Sequence, residues 1–242
     1  MQQHAFTIDR VATAVLHVAP GPPAFQQEHA EEIEALWRSE SDLNPHLFDG
    51  TVHLCSKIEV SNGHALAQCH AVRFATLLYW RKALRETGQG HGLRNTSGDV
   101  ILRGSDGGIL LGRMASHTAN ARRICLPGGS FDASDVTAGR IDPSGCITRE
   151  CAEETGFMPG DYALDPELLV YRDHRCVAYA QIATLPISSS LARARALRFL
   201  ASETDPELED ILVVASLADT DRLIPDTYER HLIAHVLQET AS

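Results

Sequence analysis

The stretch that decides the fold is "LPGGSFDASD", residues 126–135, together with "TRECAEETGF", residues 148–157. The second segment carries Glu150, Glu153 and Glu154 at positions i, i+3 and i+4. This spacing puts three carboxylates within one narrow arc of a helix surface. We therefore predict a short helix with an acidic face, and its function must account for the crowding of like charge.

The flanking residues predict where this helix begins and ends. Asp142 and Pro143 favour a start, because Asp can cap free amides and Pro suits the first helical position, while Gly156 favours a stop. Two glutamates then occupy the last turn, where the helix dipole disfavours an acid by about 0.3–1 kcal/mol per charge. Arg149 can offset part of this through an i, i+4 pair with Glu153. A hard cation such as Mg²⁺ or Mn²⁺ would remove the penalty, and without one at least one glutamate pKa should be raised.

Composition limits the class of protein. The chain has 242 residues with 44% apolar composition, which fits one globular domain or one domain with an extension. Its formal net charge of −11 argues against a nucleic-acid partner, because such affinity rests largely on Lys and Arg. The six cysteines show no C-x-x-C pair, so we expect reduced, mostly buried thiols in a cytoplasmic protein. No segment is long and apolar enough to predict a membrane span.

The rest of the chain mixes strands with helices and indicates an α/β or α+β class. The Gly-rich segment 86–99, with little apolar content, is the predicted boundary between two parts. Before it we predict a strand near residues 6–18, a helix from about residue 26, a hairpin turning at "SNGH", and a helix in "VRFATLLYWRKAL". After it we predict a hairpin in "VILRGSDGGILLGRM", a strand in "CVAYAQIATL", a helix near residues 191–201, a strand in "DILVVASL", and a final helix in "TYERHLIAHVLQE".

The acidic segment resembles a known family motif. "RECAEETGF" is similar to the second half of the Nudix box, G-x5-E-x7-R-E-U-x-E-E-x-G-U with U a bulky apolar residue. "LPGGSFDASD" resembles the Pro-Gly-Gly entry that precedes the box. The fixed positions of the motif fall on Arg149, Glu150, Glu153, Glu154 and Gly156, after Pro127, Gly128 and Gly129.

The motif departs from the family pattern in its first half. Counting from Gly129, the box glutamate position holds Asp135, and thirteen residues instead of seven separate it from Arg149. Residues 136–142 therefore resemble an inserted loop. Asp142, closer to the helix, is the rival for the role of the missing glutamate, and the sequence leaves the two alternatives open.

The resemblance implies a Nudix fold, a mixed β-sheet sandwiched between helices, for residues 95–242. Residues 1–94 lie outside it as an N-terminal strand and helix extension that packs on the core. It also implies Mg²⁺- or Mn²⁺-dependent hydrolysis of a small-molecule nucleoside diphosphate derivative. Many members pair through N-terminal strands, so the extension could form a homodimer or could instead cover the active site. The implied metal ligands are Glu150, Glu153, Glu154 and the carbonyl of Gly128, with Arg149 orienting the glutamates.

Splitting a pyrophosphate also requires a general base for the attacking water. Glu150 is one candidate, and in this family the base is sometimes an acid on a distant loop. "ETDPELEDILVV" offers Glu207, Glu209 and Asp210 directly before a strand, and we select Glu209. The alternative is an exposed turn that happens to carry acids.

The polar loop 112–123 precedes the Pro-Gly-Gly entry and is well placed to contact substrate, although surface-loop residues often have no specific role. Its candidates for binding phosphate or sugar are Arg113, His117, Asn120 and Arg122.

No known substrate signature of the family fits the sequence. The positions that a CoA type requires hold Arg122 and Thr118, and the proline of many ADP-ribose types falls on Asp173. A long N-terminal extension with a stretched box resembles the layout of Nudix UDP-sugar diphosphatases. A nucleoside diphosphate sugar is therefore the leading predicted substrate, with ADP-ribose second. A non-catalytic Nudix-like nucleotide sensor is the alternative class, but all three glutamates and the acidic charge favour an enzyme.

Overall fold

The computed structural model describes residues 5–239, which form seven helices and thirteen strands in a mixed α/β arrangement, as predicted. The helices are α1 (Ala24–Glu28), α2 (Ala30–Leu43), α3 (Phe74–Thr87), α4 (Pro143–Thr155), α5 (Ser189–Leu200), α6 (Leu217–Leu223) and α7 (Tyr228–Glu239). The strands are β1 (Thr7–Val11), β2 (Thr13–Val18), β3 (Thr51–Ser61), β4 (His64–Arg73), β5 (Arg94–Arg103), β6 (Ile109–Met114), β7 (Ile124–Cys125), β8 (Gly128–Ser130), β9 (Val136–Thr137), β10 (Arg140–Ile141), β11 (Ala163–Arg172), β12 (Cys176–Thr184) and β13 (Leu208–Val214).

Hydrogen bonds join these thirteen strands into one sheet, with β5 near its centre. Strand β5 runs parallel to β12 and antiparallel to β3 and β8. The N-terminal strands belong to the same sheet, because β1 pairs with β11 and β3 pairs with β5. The first 94 residues therefore continue the sheet that carries the acidic helix.

Two predicted hairpins are present. Strands β3 and β4 turn at Asn62 and Gly63, whose φ angles of 51° and 75° are the left-handed values that a tight two-residue turn requires. Strands β5 and β6 meet only at Arg103 and Ile109. Beyond that pair β5 joins β12 and β8, and β6 joins β13 and β7, so the second hairpin is confirmed only at its turn.

The predicted boundary segment 86–99 overlaps the sheet, because β5 begins at Arg94, and the division into two parts stays a prediction. Its low apolar content is misleading, because two of its polar side chains, Ser97 and Asp99, are buried and hydrogen-bonded in the strand. Ser97 Oγ and the Tyr228 hydroxyl donate to the two carboxylate oxygens of Asp99, each at 2.9 Å. Sequence composition does not show such internal pairing.

The predicted inserted loop 136–142 is mostly a small hairpin. Strands β9 and β10 pair across Ala138 and Gly139, with φ angles of 50° and 74°. Strand β10 then pairs with β2 of the N-terminal part, so the insertion extends the sheet. Strand β11 and helix α6 were not predicted, and the first predicted helix is divided at His29 into α1 and α2.

Helices cover both faces of the sheet. Helices α4 and α5 pack on one face, where Ile147, Cys151 and Ala196 join the largest apolar cluster. Helix α7 packs on the other face through Leu232 and Ile233. The six cysteines, all in the described part, are free thiols, and five of them are buried. No helix between residues 5 and 239 is long and apolar enough to cross a membrane.

Candidate active site

Helix α4 begins and ends where the sequence predicts. It follows Asp142, has Pro143 in its first turn, and ends at Gly156, whose φ of 71° is left-handed. The predicted capping bond from Asp142 is wrong, because its side chain accepts no hydrogen bond from the helix. Its carboxylate instead lies over Gly145, where an added Cβ would stand 2.7 Å from Oδ2.

The apolar side of α4 fixes the direction of its acidic side. Cys146, Ile147 and Cys151 are fully buried against the sheet. The helix lies close to β5 because Gly98 has no side chain, and a Cβ there would lie 3.0 Å from the Phe131 ring and 3.1 Å from Ile147 Cγ1. The glutamates therefore face the Pro-Gly-Gly loop and the solvent edge.

Arg149 is the hub of the acidic face. Its Nη1 lies 2.8 Å from Glu150 Oε1 and 2.9 Å from Glu153 Oε2, which confirms the predicted i, i+4 pair. Its Nη2 contacts both oxygens of Asp135 at 3.2 and 3.1 Å. Burial lowers the pKa of Arg149, but the charges of Glu150 and Asp135 outweigh it, so the pKa stands above its ordinary value.

The two candidates for the missing box glutamate have different surroundings. Asp135 has a 2% exposed side chain, contacts Arg149, and accepts the Asp132 N–H at 2.9 Å. Asp142 is exposed and bonds to Asp135 only through their backbones. Of the two acids, Asp135 is the one that contacts the hub arginine.

Glu150 and Glu154 lie against the Pro-Gly-Gly loop. Glu154 Oε2 accepts the Gly128 N–H at 2.8 Å, and Glu154 is only 5% exposed. A Cβ added to Gly129 would stand 2.5 Å from Glu150 Oε1, so only glycine leaves room for that carboxylate. The two glycines thus bring a backbone loop directly onto two buried carboxylates.

Both carboxylates resist ionisation. Burial, helped by the charges of Glu153 and Glu207, raises the pKa of Glu150 from its ordinary value of 4.5 to about 7, although Arg149 opposes the shift. Burial and then the charge of Glu150 raise the pKa of Glu154 well above 4.5. The predicted rise in at least one glutamate pKa is therefore confirmed.

Glu153 differs from its two neighbours on the helix. Its side chain is 59% exposed and turns to Arg149. Accordingly, residues 5–239 contain no group of three or more His, Cys, Asp or Glu side chains already gathered for a metal ion. The structure brings together two of the three predicted carboxylate ligands, with Gly128 beside them.

The acidic segment before β13 approaches α4 through Glu207. The charge of Glu207 raises the pKa of both Glu150 and Glu154. Glu209, the predicted base, is exposed and lies at a β-bulge, between the pairs that Leu208 and Asp210 make with β6. Its catalytic role remains a prediction.

The predicted substrate loop is held by backbone and side-chain contacts. The His117 carbonyl accepts a hydrogen bond from Asn44 Nδ2 at 2.7 Å. Arg122 is exposed, with a left-handed φ of 62°, and Asn120 accepts the Arg123 N–H at 3.0 Å. Arg113 is half-buried on β6, and binding by these side chains remains a prediction.

A second polar cluster lies behind the Pro-Gly-Gly loop and was not found from the sequence. Asp99 pairs with Gly128 in the sheet, and burial raises its pKa to about 7. Arg123 Nη2 lies 2.7 Å from Oε1 of Glu229, which is 1% exposed. The sequence placed Asp99 at the end of the predicted boundary segment 86–99, and the available signal was an acid directly before the apolar run of β5.

Comparisons with known proteins give matches among solved structures only. No protein-family model matches the chain. No curated protein matches it in a sequence search.

Three of the similar solved structures illustrate the matches. A MutT protein from Methanosarcina mazei Go1 is 20% identical, with 62% of this chain and 96% of that chain covered and a TM-score of 0.39. The Nudix hydrolase RenU from M. smegmatis is 15% identical, covering 61% and 86%, with a TM-score of 0.41. The Nudix domain of Shewanella oneidensis NrtR, complexed with ADP ribose, is 17% identical, covering 62% and 89%, with a TM-score of 0.39. The second and third of these proteins are named as Nudix proteins, and the first as a MutT protein.

Proposed function

We propose that the chain is a Nudix-type pyrophosphohydrolase that cleaves a nucleoside diphosphate derivative with Mg²⁺ or Mn²⁺. The observation that carries this proposal is the pair of buried carboxylates, Glu150 and Glu154, held against Gly128 and Gly129. Two neighbouring buried acids with raised pKa values are unfavourable for the fold alone, and such groups cluster at functional sites. A bound divalent cation would stabilise the two carboxylates in their ionised form and remove their mutual repulsion.

The residues present fit a hard cation. Glu150 and Glu154 offer carboxylate oxygens, the donors that Mg²⁺ and Mn²⁺ prefer. The repulsion between them is relieved by a positive charge. We propose these two glutamates and the Gly128 carbonyl as ligands. Glu153 would join them after releasing Arg149, which its exposed position allows.

The bound cation would neutralise charge on the phosphoryl oxygens and acidify a water molecule. The residues of the chain supply the other requirements. Arg149, held by Asp135, orients the glutamate carboxylates, and we propose that Asp135 fills the role of the box glutamate. For the base we retain Glu150 and Glu209 from the sequence and add Glu207, whose charge acts on both buried glutamates.

We propose a nucleoside diphosphate sugar as substrate, with ADP-ribose as second candidate. Layout favours the first, through the N-terminal extension and the lengthened box. Arg113, His117, Asn120 and Arg122 are the proposed contacts to phosphate or sugar. We also propose a cytoplasmic location, which the cysteine pattern of the sequence favours.

Formation of a nucleoside monophosphate and a sugar phosphate from a panel of substrates tests the function, because these are the two products of hydrolysis at the diphosphate linkage. The panel contains UDP-sugars, ADP-sugars and ADP-ribose, each assayed with Mg²⁺ and Mn²⁺ and with a chelator. We expect metal-dependent cleavage by the wild type and a loss of about 10²-fold or more in kcat for Glu154→Gln, because a charged ligand is replaced by a neutral one. Glu31→Gln on α2, an exposed acid far from the motif in sequence, is the matched control.

The outcomes separate the two classes of function. Turnover that survives both Glu153→Gln and Glu154→Gln would refute the assignment of the acidic helix. Tight nucleotide binding without turnover in the wild type would favour a sensor. Cleavage of one sugar nucleotide alone would identify the substrate class.

A further inference from the structure

We propose that Asn44 is a positioning residue of the proposed active site, which it organises by fixing the loop 115–122 and, through that loop, the acidic segment 205–207. This inference rests on the proposed function. Asn44 lies in the N-terminal part, outside the predicted Nudix domain. Four contacts connect the region around Asn44 to the acidic segment 205–207.

The first contact is the hydrogen bond between Asn44 and His117. Asn44 Nδ2 donates to the His117 carbonyl oxygen at 2.7 Å in a part-buried setting. Asn44 is itself fixed, because its N–H donates to the Glu40 carbonyl at 2.9 Å at the end of α2. Its Oδ1 accepts the His46 N–H at 3.1 Å. The amide therefore has one orientation in which both of its polar ends are used.

The second and third contacts reach the acidic segment through Asp205. Oδ1 of Asp205 lies 3.4 Å from His117 Nε2, and Oδ2 lies 3.7 Å from His46 Nδ1. The two imidazole rings are 5.3 Å apart between centroids. Asp205 thus lies between a histidine of the N-terminal part and a histidine of the substrate loop.

The fourth contact is a backbone bond. The Ala115 N–H donates to the Glu207 carbonyl oxygen at 2.8 Å. This bond joins the start of the loop to the acidic segment that precedes β13. The same loop leads through β7, which pairs with β6, into the Pro-Gly-Gly segment that contacts Glu150 and Glu154. A displacement of the loop at His117 would therefore move Glu207 relative to the two buried carboxylates.

These contacts place the loop 115–122 and Glu207 but contribute little to the free energy of unfolding of the whole protein. Asp205 and His46 are more than half exposed, and exposed ion pairs contribute little to folding. Loss of the Asn44 bond should therefore leave the fold intact and affect mainly the placement of the loop and of Glu207. Placement errors near 1 Å can lower a rate by about 10²-fold.

The test uses Asn44→Asp, which keeps the size and one acceptor oxygen of the side chain, replaces the N–H donor to His117 by an oxygen, and adds a negative charge. Asn62→Asp, the same change at an exposed hairpin turn, is the matched control. With the best substrate of the panel, we expect kcat to fall about 10-fold or more in Asn44→Asp and to stay at the wild-type value in the control. The midpoint of thermal unfolding should be the same for Asn44→Asp as for Asn62→Asp.

A double-mutant cycle with Glu207→Gln separates positioning from a general disturbance. If Asn44 acts through Glu207, Asn44→Asp should change kcat less than about 2-fold once Glu207 is already Gln, because effects within one unit are not additive. An equal loss in both backgrounds, or an unchanged kcat in the single variant, would overturn the proposal.

Hydrogen exchange gives a readout that needs no turnover. Asn44→Asp should speed exchange of the Ala115 amide, which is bonded to Glu207, and leave the amides of α4 protected. Unchanged exchange at Ala115 would overturn the proposed positioning whatever the panel shows. Faster exchange without any hydrolysis would instead count against the proposed function alone.

Discussion

Glu150 and Glu154 carry most of the chemical information at the scale of single residues. Each is buried, each has a raised pKa, and each lies against a glycine of the same loop. Arg149 partly neutralises Glu150, whereas Glu154 accepts a hydrogen bond from the uncharged Gly128 N–H. The repulsion between the two carboxylates can be removed by protonation or by the proposed cation.

The raised pKa of Glu150 predicts how stability depends on pH. Between its unfolded value of 4.5 and its folded value of about 7, the folded state binds more protons than the unfolded state. Stability without metal should therefore fall as the pH rises through this window and stay low above it. Glu154 and Asp99 shift in the same direction and reinforce the effect. Saturating Mg²⁺ should raise the thermal midpoint more at about pH 8 than at about pH 5.

Calorimetry in chelator and in Mg²⁺ measures both effects. Glu150→Gln should flatten the metal-free dependence on pH and reduce the gain from Mg²⁺, because it removes one titrating group and one proposed ligand. Glu31→Gln, on the exposed face of α2, should change neither. A wild-type midpoint that rises with pH in chelator would contradict the assignment of raised carboxylate pKa values.

At the scale of elements, the sequence predicted the helix ends and turns that depend on the backbone angles of single residues. Pro143 and Gly156 mark the ends of α4, and Asn62 with Gly63 marks a hairpin turn, because these residues act through their own backbone angles. The Glu150, Glu153 and Glu154 spacing likewise predicted one acidic face. These parts of the site were available from the sequence alone.

Elements whose partners are distant in sequence were not predictable in this way. Strand β5 contains the buried Asp99, which accepts a hydrogen bond from Tyr228, more than a hundred residues later in the chain. The strand β10 exists because β2 lies beside it. Single-sequence patterns do not contain these pairings, and the same limit applies to the contact between Asn44 and His117.

Gly156 supports a prediction on the end of α4. Alanine there must adopt the left-handed φ of 71°, which costs about 1–2 kcal/mol, and its Cβ would stand 2.5 Å from the Phe199 ring. Crowding of this kind adds about 1–3 kcal/mol. Gly139→Ala is the matched control, because Gly139 has a similar φ of 74° and nothing within 4 Å of an added Cβ.

Urea unfolding of the two variants isolates the packing contribution. We expect Gly156→Ala to lower the free energy of unfolding more than Gly139→Ala does. The difference should equal the cost of crowding the Phe199 ring, because both variants have the same backbone strain. Since the last turn of α4 carries Glu154, the same variant should also bind Mg²⁺ more weakly than the control. Equal losses in the two variants would show that α4 does not pack on Phe199 as described.

At the scale of the whole molecule, the N-terminal part and the acidic helix share one core. Leu16 and Cys69 from the first 94 residues lie in the same buried cluster as Phe131 and Ile147. The division into an extension, residues 1–94, and a Nudix domain, residues 95–242, remains a proposal about sequence relationship. In physical terms the shared sheet and core predict one cooperative unit.

The variant Leu16→Ala tests this cooperativity. Tryptophan fluorescence reports selectively on the N-terminal part, because both tryptophans, Trp37 and Trp80, lie there. Leu16 is fully buried and pairs with Ile141 of β10, so the substitution should cost about 2–5 kcal/mol. If the molecule is one unit, tryptophan fluorescence and far-ultraviolet circular dichroism should give coincident urea transitions, both shifted equally in the variant. Val60→Ala, at a half-buried position beside the same cluster, should shift both transitions together by a smaller amount. A tryptophan transition that shifts while the circular dichroism transition stays would show instead that the N-terminal part unfolds separately from the sheet that carries α4.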